Sequence, residues 1–391
     1  MTIDPHHQEL FDWLVDGAPG APTPMMVVGK LGRGLRAGGV PVDKINAFVR
    51  TLHPHVAGRR FAWDPSLQDA AVAELPWEST TGAEYLNSPV LRVTHTGLEV
   101  RCRLDGATLA FEQLQGLRSE GLTDYVAVPM KFMGGAVNVI SFATRTPGGF
   151  TDAQLEAIRW VVRPLSRVGE TLALMRTAVN LLNTYVGRNA GERILKGKIQ
   201  IGDTESIRCV IWFSDLRGFT LLSGASTPTE TIAMLNELFE CQVASIETNQ
   251  GEVLKFMGDG MLAIFAIDAS RDAAAAALSA ARASRDANAL LVKLNEKRAA
   301  RGAAPITFGV SLHIGEVAYG NIGGSNRLDF TAIGASVNLA SRIEGLTGKL
   351  GKFLLVSQEL AAVLPLPTRS VGTFELKGVT APQPVYELVD P

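Results

Sequence analysis

Cysteine is scarce in this chain: Cys102, Cys209 and Cys241 are its only three in 391 residues, an odd, scattered set without a Cys-x-x-Cys pair. That excludes a disulfide framework and a cysteine-built zinc site, and it fits a reducing cytoplasm. Excess charge of one sign is also lacking, since 37 basic and 39 acidic side chains leave a formal net charge of −2. No long-range field recommends nucleic acid or an anionic membrane surface as a partner, so an anionic substrate has to be held locally. Long apolar runs are missing too. The best stretch, residues 261–267, stops at Asp268, well short of the ~18 residues a membrane-spanning helix requires. Residues 1–10 carry acidic and histidine side chains where an export signal would place a basic end and an apolar run. The expectation is a cytoplasmic chain without export signal or membrane insertion. Histidine is thin as well: His313 is the only one beyond His95, and none has metal-ligand spacing.

What is present suffices for two cores, because 46% of the residues are hydrophobic and the chain is too long for one ordinary domain. Residues 17–40 are full of Gly and Pro and read as the edge of a first domain, while residues 42–56 show helical spacing before a His-Pro break. β-rich runs at 90–94, 97–104, 125–132 and 136–144 predict a small antiparallel sheet. Thr151, followed three residues later by Gln154, predicts a helix start, with a pattern running to about residue 175 and a kink at Pro164. Residues 1–170, a sheet with flanking helices and no catalytic cluster, resemble in pattern the GAF- or PAS-like small-molecule sensor domains. Residues 171–200, with Leu172, Leu174, Val179, Leu182 and Val186 apolar, read as a connecting helix or as an ordinary packing helix. From residue 201 to 391 strands and helices alternate as in an α/β sandwich: a strand at 207–213, a helix at 227–248, a hairpin across 253–265, an Ala-rich helix at 271–300, and strands at 306–314 and 328–333.

Three runs carry chemistry. The first, residues 210–220, is an apolar strand ending in Asp215 and Leu216, followed by the Gly218-Phe219-Thr220 turn into a helix. Backbone N–H groups at such a turn hold phosphate oxygens, and the acid holds the accompanying cation. The second, residues 253–265, is a hairpin with Asp259 in its Gly-Asp-Gly tip. A Gly-Asp-Gly turn alone is common for backbone reasons. Two acids on neighbouring strand ends, however, are the minimum needed to clamp two Mg2+ or Mn2+ ions. The third, residues 329–344, turns helical after Gly334, so Asn338 and Arg342 lie four apart on one face.

With all three runs in order and at matching spacing, residues 207–388 resemble the class III adenylyl and guanylyl cyclases. The resemblance implies an α/β (α+β) catalytic domain, ferredoxin-like, over residues 201–391. It implies that Asp215 and Asp259 hold two divalent cations, Mg2+ or Mn2+, with help from the Leu216 carbonyl, and that Gly218, Phe219 and Thr220 bind phosphates. Asn338 would orient the ribose and Arg342 would stabilise charge developing on the phosphate. Base choice would rest on Lys255 and Thr331, whose amine and hydroxyl suit adenine and hence ATP. Many members carry Asp where Thr331 stands, and the Thr-bearing branch includes bacterial cyclases that respond to bicarbonate. Lys377, in the Phe374-Glu375-Leu376-Lys377-Gly378 run, would reach the triphosphate. The resemblance further implies a homodimer with active sites at the interface, regulated by a small-molecule or protein effector at the first domain. A guanylate cyclase, opposed by Lys255 and Thr331, and a silent nucleotide-binding signalling module, opposed by the intact site, are the alternatives. A diguanylate cyclase ranks lower, because the Gly-Gly-Asp/Glu-Glu-Phe turn is missing.

Overall fold

In the computed structural model, which describes residues 4–106 and 108–389, the chain divides into two units, Met1–Leu181 and Leu182–Pro391, each with its own sheet. Residues 1–3 and 390–391, the outer limits of the expected domains, lie outside the described residues. No described helix is long and apolar enough to cross a membrane, and all three cysteines are free and buried.

The first unit runs α1 (Pro5–Val15), α2 (Pro24–Ala37), β1 (Lys44–Arg50), β2 (Val56–Trp63), β3 (Ala71–Pro76), α3 (Ala83–Leu86), α4 (Pro89–Thr96), β4 (Val100–Arg103), α5 (Gln115–Ser119), β5 (Asp124–Lys131) and β6 (Val137–Thr144). It ends in α6 (Asp152–Val186), which continues across the unit boundary. The strands form an antiparallel sheet in the order β3-β2-β1-β6-β5-β4. Side chains alternate between its faces, as strand geometry requires. Val126, Val128 and Ile140 join the core containing Leu31 and Leu35 of α2 and Ile158 of α6, while Tyr125, Ala127 and Val139 join a second core with Val93 and Leu104.

The Gly-rich stretch 17–40, read as a domain edge, contains α2, capped by Thr23 with Pro24 at its first turn. Its glycines serve packing: a Cβ on Gly32 would come within 2.4 Å of the Trp63 ring. Residues 44–50 form a central strand rather than a helix, because Ile45 and Ala47 are buried with period two between β2 and β6. Residues 90–94 are helical, set between the Ser88 cap, Pro89 and a left-handed Gly97. The start of α6 is as expected, with the Thr151 hydroxyl accepting from the Gln154 amide and the Gln154 carbonyl oxygen accepting from the Thr151 amide. The segment 172–195 is interrupted: α6 ends at Val186, and α7 (Arg188–Leu195) begins after Gly187, whose φ is 87°.

In the second unit α7 is followed by β7 (Thr204–Leu216), α8 (Phe219–Gly224), α9 (Pro228–Thr248), β8 (Glu252–Met257), β9 (Gly260–Ala266), α10 (Ala273–Ala300), β10 (Phe308–Gly324) and β11 (Arg327–Ile333). Then come α11 (Ala335–Leu350), β12 (Leu354–Ser357), α12 (Gln358–Ala361), β13 (Thr368–Phe374) and β14 (Gln383–Leu388). The sheet order is β13-β14-β12-β10-β7-β9-β8, with β11 paired to β10. β7 is the spine: Val210 and Trp212 pack under Leu238 of α9 and Ala280 of α10, and Cys209 and Ile211 face Ala190 of α7 and Ala340 of α11. Alanine dominates the buried face of α10, which lets that long helix lie close on the sheet. This is a mixed α/β fold with helices on both faces.

Candidate active site

β7 and β9 pair with Asp215 opposite Gly260, and β8 and β9 close into a hairpin through Gly258 and Asp259, with Gly258 at φ +66°. The end of β7 and the tip of this hairpin therefore meet. A Cβ on Gly260 would lie 3.1 Å from Oδ1 of Asp215, so the glycine lets the carboxylate rest against the hairpin. Burial, the negative charge of Asp259 and a hydrogen bond shared with it push the Asp215 carboxyl up to about 6, and the Leu216 amide, which donates to it, only partly offsets this. Two half-buried carboxyls this close repel unless a proton or a cation lies between them.

A third acid, not anticipated from the sequence, stands behind the pair. Glu344 of α11 is 9% exposed and accepts a hydrogen bond from Thr347 Oγ1 at 3.1 Å. Burial, then the negative charge of Asp215, raises its carboxyl to about 7 against the pull of Thr347 and Arg217. Arg217, the residue after the Asp215-Leu216 pair, donates to the Lys352 carbonyl and leaves its Nε buried without a partner. The sequence signal for Glu344 was an acid on the core side of α11, next to Ile343 and Leu346.

The two carboxylates suit a hard cation. Among the described residues no group of three or more His, Cys, Asp or Glu side chains is arranged to hold a metal by itself. Ions at Asp215 and Asp259 would therefore complete their shells with water or phosphate oxygens, which is the usual manner for Mg2+.

The other candidates fall in three places. Gly218 is left-handed, with φ 71°, and opens α8, placing exposed Thr220 and half-buried Phe219 beside the end of β7. Lys255, on β8, forms an ion pair through Nζ with Asp329 Oδ2 of β11 at 3.3 Å. Thr331, two residues along β11, is 2% exposed, and its hydroxyl has no hydrogen-bond partner. A buried unsatisfied hydroxyl is costly, so this one is an open invitation to a polar ligand atom. Asn338 and Arg342 are both exposed on α11 and, among the described residues, make no side-chain hydrogen bond or ion pair. Arg342 and Glu344 are two residues apart on a helix and so face opposite ways; the face bearing Glu344 turns toward Asp215, and that bearing Arg342 turns to solvent. Lys377 is exposed in the connection between β13 and β14. Within one chain, the structure thus brings together Asp215, Asp259 and the α8 turn, brings Lys255 to β11 beside Thr331, and leaves Asn338, Arg342 and Lys377 outside.

Residues 203–389 match the family model for the adenylate and guanylate cyclase catalytic domain. An adenylate cyclase of Anabaena cylindrica is 35% identical over 173 residues, which cover 43% of this chain and 33% of that protein. Adenylate cyclase 1 of Rhizobium meliloti (strain 1021) is 30% identical over 179 residues, covering 45% of this chain and 27% of that protein. The chain thus spans a third or less of the length of these curated relatives. Among solved structures, the guanylyl cyclase Cya2 is similar at 29% identity with a TM-score of 0.42, covering 47% of this chain and 93% of that one.

Proposed function

We propose that the chain, whose residues 203–389 match the family model for the adenylate and guanylate cyclase catalytic domain, is an adenylate cyclase. It converts ATP to 3′,5′-cyclic AMP and pyrophosphate. The ribose 3′-oxygen forms a bond to the α-phosphorus, the bond from that phosphorus to the α,β-bridging oxygen breaks, and the 3′-hydroxyl proton leaves to solvent. The observation that carries this reading is the juxtaposition of Asp215, at the end of β7 opposite Gly260, with Asp259 in the hairpin tip, where burial and then the charge of Asp259 raise the Asp215 carboxyl.

These two acids, with the Leu216 carbonyl, hold two divalent cations, Mg2+ or Mn2+. When bound, such ions neutralise the triphosphate and acidify the ribose hydroxyl. The backbone at Gly218, Phe219 and Thr220 meets the phosphates. Lys255 and Thr331 read adenine, the unpartnered Thr331 hydroxyl supporting that role. Asn338 orients the ribose, Arg342 stabilises charge on the reacting phosphate, and Lys377 approaches the triphosphate. Because Asn338 and Arg342 lie on the face of α11 away from Glu344, they serve the acids of a second copy, and the active unit is a homodimer with two interfacial sites.

Residues 1–170 act in this reading as a GAF- or PAS-like regulatory domain, residues 171–200 as the connecting segment, and residues 201–391 as the catalyst. An effector at the first domain changes turnover by shifting how two copies pack. A cytoplasmic location belongs to the same reading and is supported by the three free cysteines. Turnover by purified full-length protein with Mg2+ or Mn2+, comparing ATP with GTP, tests the assignment. Cyclic AMP is expected from ATP, reduced at least about a hundredfold by Asp259→Ala. Preferential cyclic GMP formation would make it a guanylate cyclase, and no product from a dimeric protein would leave a silent nucleotide-binding module.

A further inference from the structure

A cavity of about 630 Å³ lies within the first unit, between the sheet and helices α2 and α6. That volume is in the range of small-molecule sites, roughly 300–1,000 Å³. Its walls are apolar where they are deep, with Val28 of α2, Phe61 of β2, Met130 of β5, Ile140 of β6 and Leu165 of α6. Charge is confined to the rim, where Arg50, Arg59, Arg176 and Glu74 line it. Arg59 is committed, its Nη2 donating to Glu74 Oε1 at 2.7 Å. Arg50 and Arg176 are exposed and, among the described residues, make no side-chain hydrogen bond or ion pair; Arg176 acts on Glu74 only at a distance. Three guanidinium groups against one carboxylate leave the mouth positive.

A second observation points the same way. Gly169 lies inside α6 and lines the cavity. Glycine is unfavourable in a helix interior relative to alanine, yet a Cβ there would meet nothing nearer than the Phe132 ring at 3.9 Å. Packing within the protein does not demand that glycine. A ligand lying close along the α6 backbone would use that space, and Ala173, one turn on, keeps the same track low.

We propose that this cavity binds a free amphiphilic organic anion, its apolar body between the sheet and α6 and its carboxylate at the mouth, paired with Arg50 and Arg176. Planar guanidinium groups recognise carboxylates through paired charge-assisted hydrogen bonds, while the apolar wall recognises hydrocarbon without chemical selectivity. Discrimination therefore rests on the head group. The inference deepens the reading of the first unit as effector-binding and extends the site through Ala173 and Arg176 into the connecting segment. Calorimetry records binding without turnover, so its failure is distinguishable from failure of the cyclase assignment.

The test is isothermal titration of the full chain with dodecanoate below its aggregation concentration, alongside dodecanol and dodecyltrimethylammonium. One dodecanoate should bind per chain, with the alcohol at least tenfold weaker and the cation not bound. The double variant Arg50→Gln/Arg176→Gln, altered only at exposed side chains, should reduce dodecanoate affinity at least tenfold, to that of the alcohol. Ala173→Phe should block both. Thermal unfolding of each variant confirms that it folds. Equal binding of acid and alcohol, unchanged affinity in the double arginine variant, or no binding heat and no shift in unfolding temperature at saturating dodecanoate would overturn the proposal. Arginine-dependent sedimentation with anionic lipid vesicles, without dodecanoate binding, would overturn it in favour of a membrane-lipid site.

Discussion

Asp215 carries a folded-state pKa of about 6, raised by burial and then by Asp259. An acid held above its unfolded value binds its proton more tightly in the folded chain, so its contribution to metal-free stability is fully present below the unfolded value and is lost as pH rises through about 6. In the proposed reading a divalent cation would substitute for that proton. Without metal, the difference in unfolding temperature between wild type and Asp215→Asn should therefore be small only at about pH 3.5, below the ordinary aspartate value, and the variant should be the more stable at pH 7.5. Mg2+ at about a hundred times its Kd should stabilise wild type by about 2.7 kcal/mol and leave the variant unchanged. Scanning calorimetry at the two pH values checks both. A wild type that gains nothing from Mg2+ at pH 7.5 would remove Asp215 from metal binding. Glu344, raised to about 7, acts in the same direction, which is why the comparison is made against a variant of Asp215 alone.

Among the elements, α11 and β10 hold the site's back wall by close approach. A Cβ on Gly309 of β10 would fall 2.0 Å from Thr347 Oγ1 and 2.8 Å from Glu344 Oε1. Gly309→Ala should therefore cost about 1–3 kcal/mol in chemical denaturation, in line with overpacking of a filled core. A loss below about 0.5 kcal/mol would show that α11 moves freely on the sheet. Elements with strong local signals were legible in the sequence. The Thr227 and Glu230 capping box starts α9, the Gly258-Asp259 turn makes the β8–β9 hairpin, and alanine repeats give α10. What stayed hidden was set by distant partners. The glycines of α2 give no helix signal until Trp63 is placed against them, and the period-two burial of β1 emerges only once β2 and β6 flank it. The acids at 215 and 259 could be paired from their places on neighbouring strands. Glu344 could not, since its closeness to Asp215 depends on how α11 lies on β7 and β10.

For the molecule as a whole, a net charge of −2 leaves recognition of any anion to local groups, in the proposed readings the α8 turn with bound cations in one unit and the arginines at the cavity mouth in the other. Each unit has its own sheet and core, and α6 is the element that passes from one into the other. In the proposed reading the exposed Asn338 and Arg342 leave the site of a single chain unfinished, and two copies complete each other. The measurement that tests it most directly mixes Asp259→Asn with Arg342→Ala. Each variant alone should be nearly inactive toward ATP. In an equal mixture, about half of the dimers are mixed and each has one intact site, so about a quarter of the wild-type cyclic AMP rate should return. A mixture of two inactive variants that stays inactive, while labelled subunits are seen to exchange, would contradict the interfacial site.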